Sequence, residues 1–214
     1  MTLPRRTPAR ARFASTCGVP QRSVVHVPAG RTYAEACTIP MNALTARLSL
    51  DLLALRPGST LAVTGSAGTY GAYVVELAKA DGLRVIADSS EADEVLVRSL
   101  GADVVVRRGP DVAQRILEQV PGGVDGIADG SVQNEALLAA VRQGGGFATV
   151  RGWSGNTNPD VTVHHVWVRE YAQEWEKLDR IRALVESGAV SLRVAGRFPA
   201  VQASEAHRLL ERGG

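Results

Sequence analysis

The sequence predicts an α/β fold, a doubly wound parallel sheet, from three observations. Short apolar runs alternate with helical segments along most of the 214 residues. A glycine-punctuated turn, Gly65, Gly68 and Gly71, joins the first run to a long helix. The helical segments close on glycine, as at Gly82, Gly101 and Gly144, before the next apolar run starts. Repetition of this kind argues for parallel strands covered on both faces.

The elements follow in order. Helical apolar spacing over 42–55 ends at Arg56-Pro57-Gly58 and feeds a first strand over 61–63. After the glycine turn, Val75, Leu77 and Ala78 share a helical face that stops at Gly82. A second strand is expected over 83–87, a helix over 91–100 and a third strand over 103–106. A helix over 112–120 ends before Pro121-Gly122-Gly123, and a fourth strand covers 124–128. The pattern then gives a helix over 134–142, halted by Gly144-Gly145-Gly146, and a fifth strand over 147–150. A loop over 153–160 leads to an extended stretch over 161–168. A helix over 170–186, a last strand over 192–198 and a last helix over 203–212 complete the reading.

Composition sets bounds. At 45% hydrophobic residues the chain buries a sizeable core, and a net charge of +2 selects no polyanionic partner. The first 22 residues hold five arginines and no acid, with Pro4, Pro8 and Pro20. They read as an unstructured basic arm unless something holds them, an organelle transit peptide being the alternative. No apolar run reaches the roughly 18 residues that span a bilayer. Cys17 and Cys37 lack metal or redox spacing, which suits a reducing cytoplasm.

The glycine turn carries the chemistry. A strand, a glycine turn and a helix start bring backbone N–H groups against a diphosphate. Lack of a Cβ at Gly68 admits the diphosphate, and Gly71 lets the helix pack close to its strand. Asp88 stands 17 residues past Gly71, near the separation at which an acid meets the adenosine ribose. A turn or helix start is the alternative reading of Asp88, although Ser89 and Ser90 are placed to serve as the N-cap.

Five stretches in order resemble the medium-chain dehydrogenase/reductase superfamily, in particular its zinc-independent quinone oxidoreductase branch. They are TYAEACTIPMNALTARLSLDLLALRPGSTLAVTGSAGTYGAYVVELAK, VRSLGADVVV, GGVDGIADG, GGGFATVRG and FPAVQASEAHRLLERGG. The resemblance implies a Rossmann dinucleotide-binding domain over 42–214 and a remnant of a GroES-like catalytic domain over 23–41. The basic arm over 1–22 resembles nothing in that family, which normally begins with a larger β-rich catalytic domain. A natural short member, a wrongly started frame and a fragment are the three explanations of that difference.

Residue by residue, the resemblance implies a pyrophosphate held by Gly65, Ser66, Ala67, Gly68, Thr69, Tyr70 and Gly71. It places Thr45 under the nicotinamide, Asp88, Ser89 and Ser90 near the adenosine ribose, and Asp129 and Gly152 at the edge of the cleft. A helix hydroxyl satisfied locally is the equal alternative for Thr45, and a plain turn that for Asp129-Gly130. Where relatives that use NADPH commonly carry Ser-x-x-Lys, this chain has Ser90, Glu91, Ala92 and Asp93. Arg107 and Arg108 follow the third strand, where Arg108 pairs with a 2′-phosphate, stacks on adenine, or is simply solvated. The cofactor is therefore NADP or NAD, with the preference open.

The implied activity is hydride transfer from that cofactor to a small-molecule quinone, enone or related carbonyl, without zinc. His26, His164, His165 and His207 are scattered and form no ligand cluster. Tyr70 and Tyr33 are the only nearby hydroxyl candidates for an acid, and no catalytic residue is named. A non-catalytic nucleotide-binding or regulatory module is the second reading, and nucleic-acid binding through the arginine arm a third. Relatives commonly pair through a sheet edge, which implies a homodimer across 161–168 or 192–198.

Overall fold

The computed structural model describes residues 18–156 and 158–212. Six parallel strands form one sheet in the order β3-β2-β1-β4-β5-β6. They are β1 (Thr60–Thr64), β2 (Arg84–Ser89), β3 (Val104–Arg107), β4 (Val124–Asp129), β5 (Val141–Thr149) and β6 (Thr162–His165). The helices are α1 (Tyr33–Ala36), α2 (Ile39–Leu53), α3 (Thr69–Ala80), α4 (Glu94–Ser99), α5 (Val112–Gln119), α6 (Trp175–Glu186) and α7 (Ala203–Glu211). The strand order reverses between β1 and β4, the topological switch point where doubly wound sheets bind ligands. None of the helices among the described residues is long and apolar enough to cross a membrane.

Alternation along β1 builds a core on each face. Leu61 and Val63 are buried with α2, α3 and α6, through Leu48, Val74, Leu77 and Ile181. Ala62 lies on the other face with Ile86, Ile127, Phe147 and Ile116 of α5. Carboxylates at the lower end of the sheet hold neighbouring strands in register. Asp125 accepts from the Thr60 N–H at 2.7 Å and Asp103 from the Val85 N–H at 2.7 Å.

Several elements differ from the sequence reading. The expected helix over 134–142 is a 3₁₀ segment, Asn134–Ala140, and β5 begins at once. Asn134 starts it at φ 51°, with its N–H bound by Asp129, so the tight turn wins over a regular helix. The glycine triplet that should stop a helix lies inside β5, where a Cβ on Gly145 would meet Val141 Cγ1 at 2.5 Å. These glycines sit beside a register shift against β4, as irregular strands require. The helices expected over 91–100 and 170–186 start late, at Glu94 and Trp175. A 3₁₀ turn, Val168–Tyr171, occupies the first part of the latter.

The expected strand over 192–198 does not form. Its residues have no ladder partner in the six-stranded sheet, and Val194 and Phe198 are exposed. Of the two segments read as dimer edges, only 161–168 contains a strand, β6. The basic arm lies outside the described residues except for its end. There Arg22 is held, bonding Glu176 at 3.1 Å and the Gln173 carbonyl at 3.2 Å.

Asp51 of α2 ties that helix to α6. Its carboxylate accepts from the Tyr171 hydroxyl at 2.7 Å, Lys177 Nζ at 2.7 Å and Arg47 at 2.9 Å. Burial pulls the Asp51 carboxyl up, but the Lys177 and Tyr171 bonds and the Arg47 charge outweigh it, leaving it below its ordinary value. Burial and Asp51 itself push the Tyr171 phenol up to about 12. A lowered carboxylate stabilises the fold above its unfolded pKa and loses that contribution as pH falls through the folded value. Asp51→Asn is expected to cost about 2 kcal/mol at neutral pH by urea unfolding. The gap to the wild type should close as the pH falls below the ordinary aspartate range; a gap independent of pH contradicts the assignment.

Candidate functional site

At the upper end of the sheet, β1 stops at Thr64 and the backbone turns through Gly65 at φ 66°. A Cβ on Gly65 would lie 2.8 Å from the Gly130 carbonyl carbon, and one on Gly130 would lie 2.7 Å from the Thr64 oxygen. The tips of β1 and β4 therefore meet backbone to backbone. Gly68 donates its N–H to the Gly65 oxygen at 3.0 Å, and its own carbonyl accepts the first helical bond from Ala72. Gly71 faces back onto the turn, where a Cβ would lie 2.7 Å from Ser66 Cα.

Gly68 is the N-cap of α3 and supplies no side-chain cap. The first N–H groups of a helix have no intrahelical acceptor, and the helix dipole adds positive potential there. Gly68 and Thr69 are exposed, so this end of α3 opens to solvent. A bare, dipole-positive helix end behind glycines fits a diphosphate.

The two acids near the turn point inward. Asp88 of β2 is 2% exposed and accepts from the Ser66 N–H at 3.1 Å. The Ser66 hydroxyl donates to the Asp88 carbonyl, so both polar groups of Ser66 are spent on this contact. Burial pushes the Asp88 carboxyl up, against the opposing Ser66 N–H, the Arg108 charge and the Gly65 N–H. Asp129 is fully buried at the tip of β4. It accepts from Thr64 Oγ1 at 2.7 Å, the Ser131 N–H at 3.1 Å and the Asn134 N–H at 2.7 Å. Both of its oxygens organise the turn after β4.

Other sequence-derived candidates are placed as follows. Thr45 Oγ1 donates to the Met41 carbonyl one turn earlier at 2.7 Å, the local satisfaction of a helix hydroxyl. Tyr70 shares a 2.8 Å hydrogen bond with Ser49 of α2 and packs its ring against Gly130. Burial, with the Asp129 charge, pushes that phenol above its ordinary value despite the Ser49 bond. It braces the loop in its neutral form, a poor acid. The Ala67 carbonyl accepts from Arg193 at 3.1 Å. Ser89 donates to the Ser90 carbonyl at 2.6 Å, and the Ser90 hydroxyl meets Asp93 at 2.5 Å. Arg108 is exposed, its N–H bound to the Ser89 carbonyl at 2.8 Å. Gly152 adopts φ 67° beyond β5, against the Trp167 ring. Tyr33 is 84% exposed and lines a separate cavity of about 360 Å³ with Val25, Ile39 and Leu178, away from the glycine turn.

Sequence reasoning missed Ser49, Thr64 and Arg193. Ser49 and Thr64 carry a legible signal, a hydroxyl at a position whose neighbours predict complete burial. Arg193 had none, because its contact with Ala67 spans 126 residues. His164 and His165 alternate along β6, and burial together with His165 lowers the His164 pKa. Among the described residues no three His, Cys, Asp or Glu side chains come together as a metal site.

Residues 100–214 match the family model described as zinc-binding dehydrogenase. A 2-methylene-furan-3-one reductase of Solanum lycopersicum is 30% identical over 142 residues, 65% of this chain and 36% of the relative. The trans-enoyl reductase himH of Aspergillus japonicus is 30% identical over 190 residues, 83% of this chain and 55% of the relative. A solved structure of a mycobacterial protein complexed with NADPH superposes with a TM-score of 0.78 at 27% identity. It covers 91% of this chain and 66% of the other. The chain thus spans between 36% and 55% of the length of these two curated relatives.

Gly71→Ala tests the close approach behind the turn. Alanine favours a helix interior by up to about 1 kcal/mol, but its methyl would meet unyielding loop backbone. The clash should win, with a loss of about 2 kcal/mol in urea unfolding. A stabilised Gly71→Ala protein contradicts this geometry.

Proposed function

The chain belongs to the zinc-binding dehydrogenase family of the medium-chain dehydrogenase/reductase superfamily, and on that premise we propose that it binds NAD(P)H and reduces a quinone, enone or related carbonyl without zinc. The observation that carries this reading is the uncapped start of α3 behind Gly68, open to solvent and backed by Gly65 and Gly71. Main-chain N–H groups there hold the diphosphate, and the tips of β4 and β5 border the nicotinamide end.

Held by its diphosphate at the start of α3, a nicotinamide cofactor would supply the hydride. An enone would take that hydride at its β-carbon, its carbonyl oxygen accepting the displaced electron pair. The proton for the α-carbon would come from solvent, since the Tyr70 hydroxyl is buried on Ser49. What the protein contributes is orientation. The side chains around the glycine turn spend their polar groups on one another and on the backbone, which suits a reaction that asks only for positioning. The tomato and Aspergillus reductases support a reductive reaction for the whole fold. The same reading includes pairing of two copies across the edge strand β6, as the sequence resemblance implies.

Titration with NADH and with NADPH, followed by nicotinamide fluorescence, should give saturable binding by at least one. Gly68→Val keeps an ordinary φ of −73°, its Cβ tight against the Gly65 oxygen at 3.2 Å, and puts a side chain in the cradle, so binding should fall about tenfold or more. Its circular dichroism should stay that of the parent. No binding of either nucleotide at millimolar levels overturns the proposal. Binding without turnover on a panel of quinones and enones would instead favour the non-catalytic nucleotide-binding module.

A further inference from the structure

Resting on the nucleotide reading of the start of α3, we infer that residues 191–212 form a strap that tightens when a nucleotide binds, with Arg193 as the positioning residue that couples the two. The strap is tied to α3 at two points. The Ser191 N–H donates to Glu76 Oε1 at 3.0 Å, and Arg193 Nη1 donates to the Ala67 carbonyl at 3.1 Å. Glu76 lies about two turns into α3, whereas Ala67 directly precedes its N-cap Gly68, so the anchors stand roughly 10 Å apart along the helix. Two residues of backbone and one long side chain cover that distance. The chain therefore runs from the middle of α3 toward its open end and delivers a guanidinium there.

That guanidinium is only partly used. Its charge acts on Glu76 and on Tyr73, and the second carboxylate oxygen of Glu76 has no hydrogen-bond partner among the described residues. Ser191 and Arg193 line a narrow hollow with Thr69, Ala72 and Tyr73, beside the first turn of α3. An arginine carries five N–H donors in a fixed fork. Among the described residues Arg193 bonds the Ala67 carbonyl alone, and its side chain is exposed. The other donors are free to take a second acceptor without giving up the first. A diphosphate seated on the opening N–H groups of α3 brings anionic oxygens beside the Ala67–Gly68 peptide. Bonds from a guanidinium to such oxygens are charge-assisted and stronger than the bond to a neutral carbonyl.

The rest of the strap is held weakly enough to respond. Val194, Phe198, Val201, Leu209 and Leu210 are exposed, and no residue of α7 is buried. Arg197 adds one bond, to Thr32 Oγ1 at 3.2 Å. A helix of nine residues does not hold itself together in water, so this segment lies at the low-stability end of the molecule. Coupling between two such events is reciprocal: whatever factor the nucleotide adds to docking of the strap, the docked strap adds to nucleotide affinity.

Hydrogen–deuterium exchange on the parent, Arg193→Ala and Arg193→Lys, each free and saturated with NADPH or with NADH, tests the inference without turnover. In the parent, saturation should slow exchange over 194–212 about fivefold or more, alongside protection of 68–72. In Arg193→Ala the protection of 68–72 should remain, that of 194–212 should vanish, and calorimetric affinity should fall by a similar factor. Arg193→Lys should recover part of both effects, since it keeps the charge and lacks the fork. Thermal melts of the free proteins should coincide, because the side chain is exposed. An arginine with a purely structural role would raise exchange over 194–212 in the free protein and leave the nucleotide-induced change intact. That result, or protection of 68–72 in the parent without protection of 194–212, overturns this inference and leaves the proposed function standing. Failure of the parent to bind either nucleotide overturns both.

Discussion

The upper end of this molecule depends on two buried carboxylates and the donors that make their burial tolerable. An ionised carboxylate out of water is costly unless hydrogen bonds replace its hydration. Asp129 finds four donors on Thr64, Ser131 and Asn134, and Asp88 finds the Ser66 N–H. Ser66 and Ser131 lie on the loops after β1 and β4, so satisfying the acids draws those loops inward over the strand tips. Gly65 and Gly130 make that closure sterically possible. With the rear of each loop committed, the free start of α3 is what remains facing solvent.

That division of labour explains why residue type alone does not fix where the Asp88 side chain points. Spacing from Gly71 brought it to the end of β2, where an acid commonly meets a ribose. Spacing along a strand fixes position, while side-chain direction alternates with each residue. Asp88 falls on the side of the loop and Ser89 fills the next place, so the tip is left without an outward acid. Thr45 and Tyr70 carry the same lesson. Each lies near the site in sequence pattern, and each satisfies its hydroxyl locally, on Met41 and on Ser49.

The sheet was legible because its strands are buried on both faces and read as short apolar runs. Leu61 to Val63 and Val85 to Ala87 need no long-range information to be recognised. The 3₁₀ segment Asn134–Ala140 was not legible, since its sequence is helical in composition and its geometry comes from Asp129 capturing the Asn134 N–H. The stretch over 192–198 failed for the opposite reason. Its β-prone residues suit a strand, but a strand exists only where a neighbour completes the ladder.

The C-terminal stretch is placed by polar tethers where a ladder is lacking. Glu76 lies on the inward side of α3, 8% exposed, and accepts from the Ser191 N–H at 3.0 Å. Burial pushes its carboxyl up, with Ser191 and Arg193 opposing. Two residues on, Arg193 donates to the Ala67 carbonyl within the glycine turn at 3.1 Å. Beyond this point Phe198, Val201, Leu209 and Leu210 are exposed. The segment is therefore anchored at its root to the helix and loop of the candidate site and bound little elsewhere. A polar residue on the buried face of α3 is unfavourable for packing α3 alone, and its retention makes sense as the acceptor that fixes this root. Through Glu76 and Arg193 the position of the last segment is coupled to the loop that opens α3, so any movement of that loop carries a cation with it.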